Sequence, residues 1–160
     1  MSGVVRRPSP LVVAGVVALL ALAGCGRVDV RDTGVKGSDR TACEALVKAL
    51  PDHVADQKSR TTKGSPVGAA WGDPAIVLRC GVGKPAGYDP ITGCQTANGL
   101  DWYVPEKGMN DQSVDVVMTT IGRDPAIEVT LPATYRPPVA AMVDLAPAIK
   151  AHTRETTPCG

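Results

Sequence analysis

Phenylalanine is absent from these 160 residues, and only Trp71, Tyr88, Trp102, Tyr103 and Tyr135 are aromatic. So few stacking groups argue against a platform for nucleic-acid bases. An excess of one charge is missing too: 17 Lys+Arg stand against 16 Asp+Glu, a formal net charge of +1. That balance excludes the cationic surface that gathers nucleic acid, so no nucleic-acid partner is expected. No apolar run is long enough to cross a bilayer. The main one, Leu11 to Leu22, would reach about 18 Å as a helix against a hydrocarbon core of roughly 30 Å. Catalytic signatures are also missing. No H-E-x-x-H, G-x-S-x-G or C-x-x-C occurs, which removes the usual zinc, nucleophile-elbow and dithiol signals. Cys80-Gly81-Val82-Gly83-Lys84-Pro85 has only a passing look of a phosphate loop. Its spacing is wrong, and Pro85 stands where a hydroxyl residue would ligate magnesium. No cofactor and no metal are therefore expected, and catalysis is less favoured than binding.

What remains is the composition of one globular domain, 44% hydrophobic and 21% charged. Ahead of it stands an export pattern. Arg6 and Arg7 precede the apolar run, which closes in Leu22-Ala23-Gly24-Cys25. Those four residues resemble the lipobox of bacterial lipoproteins. The resemblance implies a signal peptide over residues 1–24, diacylglyceryl transfer to the Cys25 thiol and cleavage after Gly24. Arg6-Arg7 could suggest twin-arginine export, but Pro8 follows and general secretion is preferred. Two acyl chains hold a protein stably where one is marginal. The membrane partner is thus reached through lipid on Cys25, and the location is the extracytoplasmic face of the cell membrane. Loss of Arg6 and Arg7 with the leader reverses the sign of the small net charge, so the mature chain stays close to neutral.

Gly26 to Thr41 is rich in Gly and charge and reads as a flexible tether of about 20–24 Å. A short edge strand at Val28–Val30 is a less favoured reading. Residues 42–160 form the single domain. Cys43, Leu46, Val47 and Leu50 share one helical face, with Thr41 as cap and Pro51 as limit. Gln57 to Val67 reads as a loop, as does the Gly-rich stretch Gly81 to Gly99. Strands are expected at Ala69–Trp71, Ile76–Val82, Leu100–Val104, Val114–Ile121 and Ala126–Leu131. Asp73-Pro74-Ala75-Ile76 and Asp124-Pro125-Ala126-Ile127 echo each other, and turn chemistry opening into a strand explains both. Val139, Met142, Val143, Ala146 and Ile149 form a C-terminal helical stripe interrupted by Pro147. That proline predicts a kink or two short helices, with Asp144 capping the second. The expectation is an α+β two-layer fold: four to five antiparallel strands with an N-terminal and a kinked C-terminal helix covering one face.

Cys43, Cys80, Cys94 and Cys159 remain after the lipid-bearing cysteine. An exported chain makes disulfides the default, and four cysteines allow three connectivities. Cys43–Cys80 is favoured because both lie in apolar elements that should meet in the core. Cys94–Cys159 then staples a loop to the tail.

Ala69-Ala70-Trp71-Gly72-Asp73-Pro74, Ile76-Val77-Leu78-Arg79-Cys80-Gly81-Val82, Asn98-Gly99-Leu100-Asp101-Trp102, Thr119-Thr120-Ile121-Gly122-Arg123 and Val129-Thr130-Leu131-Pro132 with Tyr135 form a recognisable set. Together they resemble an actinobacterial lipoprotein family, domain of unknown function 3515, from about Cys43 to His152. The resemblance implies a cell-surface lipoprotein and brings no activity, ligand or catalytic residue. It also implies that Cys43 and Cys80 are the regular pair, with Cys94 and Cys159 as extras.

Asp52, His53 and Asp56 offer oxygen and imidazole ligands near one turn, but a solvated corner is the better reading. His152 belongs to a helix C-terminus, where a cation is mildly favourable. Trp71, Asp73, Asp101, Trp102 and Arg123 all fall at turns or strand ends. If those ends gathered on one rim, two indoles and mixed charges could take a sugar or peptide. The expected role is a binding or interaction lipoprotein whose partner is an envelope protein or cell-wall component. The alternative is a small-ligand receptor or envelope enzyme using that rim.

Overall fold

A computed structural model describes residues 26–159. The expected signal peptide and Cys25, the expected lipidation site, lie outside the described residues. The chain opens with strand β1 (Val28–Val30), helix α1 (Gly37–Ala49) and strands β2 (His53–Val54), β3 (Gln57–Arg60) and β4 (Thr62–Gly64). β5 (Gly68–Trp71), β6 (Ile76–Val82), β7 (Gln95–Ala97) and β8 (Leu100–Tyr103) follow, then helix α2 (Glu106–Asn110). β9 (Val116–Ile121), β10 (Arg123–Asp124), β11 (Ala126–Leu131), helix α3 (Val139–His152) and β12 (Arg154–Glu155) complete it.

The fold mixes helices with one large antiparallel sheet of eight strands, in the order β2-β3-β5-β6-β11-β9-β8-β7. Four to five strands were expected, so the sheet is larger than its sequence suggested. The extra strands come from segments read as loops. β3 carries Gln57-Lys58-Ser59-Arg60 and buries no side chain fully. With no apolar alternation it gives no strand signal, yet its backbone pairs with β5. β7 is likewise hidden in the Gly-rich stretch, and pairs with β8 around the Asn98-Gly99 turn.

Residues 26–41 are not a loose tether. Val28–Val30 pair in parallel with Thr62–Gly64, and Val30 is buried. Gly68 makes this packing possible, because a Cβ there would collide with the Val30 side chain. Thr33 Oγ1 donates to the Cys80 carbonyl at 2.8 Å, and α1 starts at Gly37 rather than after Thr41. Thr41 therefore lies inside the helix, and its hydroxyl donates back to the Gly37 carbonyl.

The core lies between the sheet and the two long helices. Ile76, Leu78 and Cys80 on β6 and Ile127, Val129 and Leu131 on β11 point inward, with alternate residues partly exposed. Cys43 and Leu46 of α1 meet them, as do Ala141, Met142, Leu145 and Ile149 of α3. The Cys43–Cys80 disulfide joins α1 to β6 with 5.5 Å between Cα atoms. Cys94–Cys159 joins the loop before β7 to the tail across 6.2 Å.

α3 is one continuous helix through Pro147, so the expected break into two short helices does not occur. A proline leaves the carbonyl four residues earlier without its helical partner. That carbonyl belongs to Val143, and Asn98 Nδ2 reaches it at 3.5 Å while Lys150 Nζ donates to the Asn98 carbonyl at 2.8 Å. The β7–β8 turn thus covers the gap. Asp144 caps nothing within the helix; its carboxylate accepts the Ala55 N–H at 2.8 Å.

Candidate functional site

The five residues expected on one rim fall at two opposite ends of the sheet. Trp71 and Asp73 sit at the β5–β6 turn, where Trp71 pairs with Ile76. Thr130 pairs with Val77 and Leu131 with Val116, so the end of β11 and the start of β9 share that end. Asp101 pairs with Ile121, and Ala126 with Val82, so Asp101 and Arg123 belong to the other end. Four strand steps also separate β5 from β8, about 19 Å across the sheet.

Each member has its own surroundings. Trp71 is buried and its Nε1 donates to the Pro51 carbonyl at 2.9 Å. The Asp73 side chain is 81% exposed and lies 3.6 Å from the Arg60 guanidinium. Asp101 accepts from the Thr96 hydroxyl at 2.7 Å and from the Cys159 backbone N–H at 3.1 Å. The Arg123 side chain is 8% exposed, with Nη1 3.6 Å from Glu155 and its buried Nε without a hydrogen-bond partner.

The chain's own tail occupies the Asp101–Arg123 end. β12 pairs with β10, and the Thr156 N–H donates to the Gly122 carbonyl at 3.0 Å. Gly122 adopts φ +69°, and a Cβ there would sit 2.9 Å from Thr157 O and Pro158 Cα. Only Gly permits both this backbone and the overlying tail. The hollow left between Asp101, Arg123, Glu155 and Pro158 measures about 30 Å³, room for a single water.

Trp102 leads elsewhere. It is fully buried, and its Nε1 has no hydrogen-bond partner among the described residues. With Tyr103 and Val104 it lines a cleft of about 570 Å³. Glu106, Met109 and Asn110 of α2 form a second wall, and Gly87, Gly93, Cys94 and Gln95 a third. The β7–β8 pairing stops at Gln95–Trp102, so the cleft opens where the outer strand ends.

Side chains behind the lining, which the sequence did not single out, brace the cleft. Arg136 donates to the Gly108 carbonyl at 2.7 Å, the Val114 carbonyl at 3.2 Å and Gln112 Oε1 at 3.0 Å, tying α2 to the connection that leads into β9. Tyr88 meets Tyr103 edge to face at 5.5 Å, and Lys84 Nζ lies 5.3 Å from the Tyr88 ring centre. The Tyr88 hydroxyl reaches Cys159 Sγ at 3.7 Å. No motif marks these residues, because they converge only after the loop has closed.

Elsewhere the chemistry is self-contained. The phosphate-loop look-alike borders a hollow where Arg79 is held by Glu128 at 2.6 Å. Arg154 is ion-paired with Asp124 and lies 3.9 Å from Asp39; the Asp124 bond raises its guanidinium pKa above the ordinary value. Among the described residues no group of three His, Cys, Asp or Glu side chains is placed to hold a metal ion. His152 is the last residue of α3.

Residues 9–158 match the family model described as "Protein of unknown function (DUF3515)". No curated protein and no solved structure matches the chain.

Proposed function

From the premise that this chain belongs to the DUF3515 family of proteins of unknown function, we propose that it is an actinobacterial lipoprotein of the cell envelope. It is held to the extracytoplasmic face of the membrane by lipid on Cys25 and binds an envelope protein or cell-wall component through the cleft beside Trp102. One observation carries this reading. Cys94, half of the second disulfide, is itself a wall of the cleft. A cleft stapled in this way belongs to an oxidising space, and the lipobox-like Leu22-Ala23-Gly24-Cys25 supplies the route there. The polar side chains in its lining are two amides, Gln95 and Asn110, one carboxylate, Glu106, and the phenol of Tyr103. The amides orient a ligand without moving a proton, and Glu106 has no second carboxylate, imidazole or free thiol beside it in the lining, so the set suits recognition better than acid–base chemistry.

A small-ligand receptor for a sugar or peptide is the second reading, and the volume of the cleft favours it. Sites of about 300–1,000 Å³ commonly take small molecules. Of the five rim residues, Trp102 alone stays in this version.

The decisive experiment has two parts. Intact-mass measurement of the native protein should find a chain starting at Cys25 with a diacylglyceryl adduct, and an intact Met1 would overturn the anchoring. A photo-crosslinker at Met109, on the cleft wall, should capture one reproducible envelope neighbour in intact cells. The same probe at Val117, exposed on β9 away from the cleft, should not. Equal capture from both positions would remove the cleft from the proposal.

A further inference from the structure

The described chain is tied into the fold almost as soon as it begins. The Gly26 carbonyl accepts from Arg60 Nη2 at 3.0 Å, and the Val28 N–H donates to the Thr61 carbonyl at 2.9 Å. From Val28 onward the backbone is locked into β1 against β4. Cys25 precedes Gly26 in the sequence, so three residue steps separate it from Val28. Fully extended, that is a reach of about 11 Å at most.

We infer that the corner of the domain around Gly26 rests on the phospholipid headgroups, so that the protein stands on the membrane in one orientation. This inference depends on lipid attachment at Cys25, as proposed above. The corner is defined by contacts. Arg60 spans from Gly26 to the β5–β6 turn, donating to the Gly72 carbonyl at 2.9 Å beside Asp73. Lys63 faces Asp29 at 3.4 Å on the adjoining β1–β4 pair. Arg27, Lys58, Arg60 and Lys63 lie around this corner together with Asp29, Asp52, Asp56 and Asp73: Ser59 of β3 donates to the Asp52 carbonyl, and Gln57, next to Asp56, packs beside Gly72. Charge is thus balanced at this corner, so the short reach to the lipid, and not attraction to anionic headgroups, is what sets the orientation. A loose tether of the length read from residues 26–41 would have left orientation free; the docked β1 removes that slack.

The far side follows from the sheet. Gly26 and the Gly72 turn share one strand end, while the Gly122 turn and the tail over it occupy the other. β11 alone, with six residues, separates those ends by about 20 Å. Thr157 is therefore a distant reporter and Thr61 a near one, and both are exposed.

The test uses the native lipidated protein in vesicles of phosphatidylethanolamine and phosphatidylglycerol that carry a nitroxide on some headgroups. A fluorophore is attached through an azide-bearing residue at Thr61 or Thr157, which avoids the cysteines. Flotation with the vesicles, loss of most emission at 61 and no loss at 157 is the expected result. Flotation with equal quenching at both positions would overturn the fixed orientation while leaving the anchor intact. Failure to float, with no fatty adduct by mass, would overturn the anchoring and this inference together. A Gly/Ser spacer of about 20 residues between Cys25 and Gly26 should erase the difference, and its persistence would overturn the role given to the short reach.

Discussion

The two halves of the eight-stranded sheet are built to different standards. In the half made by α1, β2, β3, β5 and β6, the buried indole of Trp71 has a partner at 2.9 Å and the disulfide cysteines are wholly enclosed. In the half made by β9, β8, β7, α2 and the tail, Trp102 Nε1 and Arg123 Nε are buried without partners. Cys94 and Cys159 there are only half-buried. An orphaned buried donor costs about 1–3 kcal/mol, and native folds hold few of them. That both such side-chain atoms among the described residues fall in the half that holds the 570 Å³ cleft is informative. One half is a packed foundation; the other trades packing for an open surface and relies on a staple to keep its loops together.

The largest test of that contrast is the pair of disulfides. Their sequence separations are 37 and 65 residues, and the chain-entropy estimate assigns about 4 kcal/mol to each, slightly more to the longer. The comparison between the halves predicts the opposite ranking. Replacing Cys43 and Cys80 together by Ala also empties a buried site, so the expected loss is about 5 kcal/mol. Replacing Cys94 and Cys159 by Ala frees a loop and a tail that can relax within the folded state, so about 2–3 kcal/mol is expected. Urea unfolding of both double variants gives the two numbers. Equal losses, or a greater loss from the second pair, would break the comparison.

A smaller effect separates the two indoles. Trp71→Phe and Trp102→Phe remove the same atoms from equally buried positions, so their difference isolates the Nε1 donor. At Trp71 the change leaves the Pro51 carbonyl without its donor; at Trp102 it deletes a donor that had no acceptor. Trp71→Phe should be the more damaging by about 1–2 kcal/mol in the same unfolding assay. If Trp102→Phe proves the costlier, the second half is not the under-bonded one.

The same division explains what was readable in the sequence. α1 shows its buried face through Cys43 and Leu46, and β6, β9 and β11 show theirs through alternating or β-branched residues. The Cys43–Cys80 pairing follows from where α1 and β6 must meet, and Cys94–Cys159 is the pair that then remains. β3, β4 and β7 were hidden because exposed polar strands are chosen by backbone pairing, which leaves no apolar rhythm. β1 was legible only as a less favoured edge strand, because its docking depends on a distant Gly68 that leaves room for Val30. The continuity of α3 through Pro147 is supported by Asn98, forty-nine positions away in the chain. The rim failed for a topological reason: turns that look alike, such as Asp73-Pro74 and Asp124-Pro125, lie at opposite ends of an antiparallel sheet. Of the five, Trp102 alone borders the cleft, and Glu106, Met109 and Asn110 carry no local mark of their convergence.

The smallest effect concerns the loop that follows α2 at the cleft's margin. Asp111 Oδ1 accepts from the Ser113 hydroxyl at 2.6 Å and from the Ser113 backbone N–H at 2.9 Å. The hydroxyl bond first, and then the backbone bond, hold the Asp111 carboxyl below its ordinary value of 3.8. A carboxylate whose folded pKa is depressed contributes its bonds fully above the ordinary value and loses them as pH falls through the lowered one. The loop should therefore loosen only in strong acid, and the cleft margin should be insensitive to pH across the neutral range. Ser113→Ala removes the larger cause and keeps the backbone bond, so the Asp111 midpoint should rise toward 3.8 in a carboxyl-carbon NMR titration. Asp111 is at the surface and only partly buried, so solvent screens the effect on global stability, and the titration is the measurement that decides. A midpoint unmoved by Ser113→Ala would show that the margin is not held by this bond, and that even the surface of the open half is fixed by something other than local side-chain chemistry.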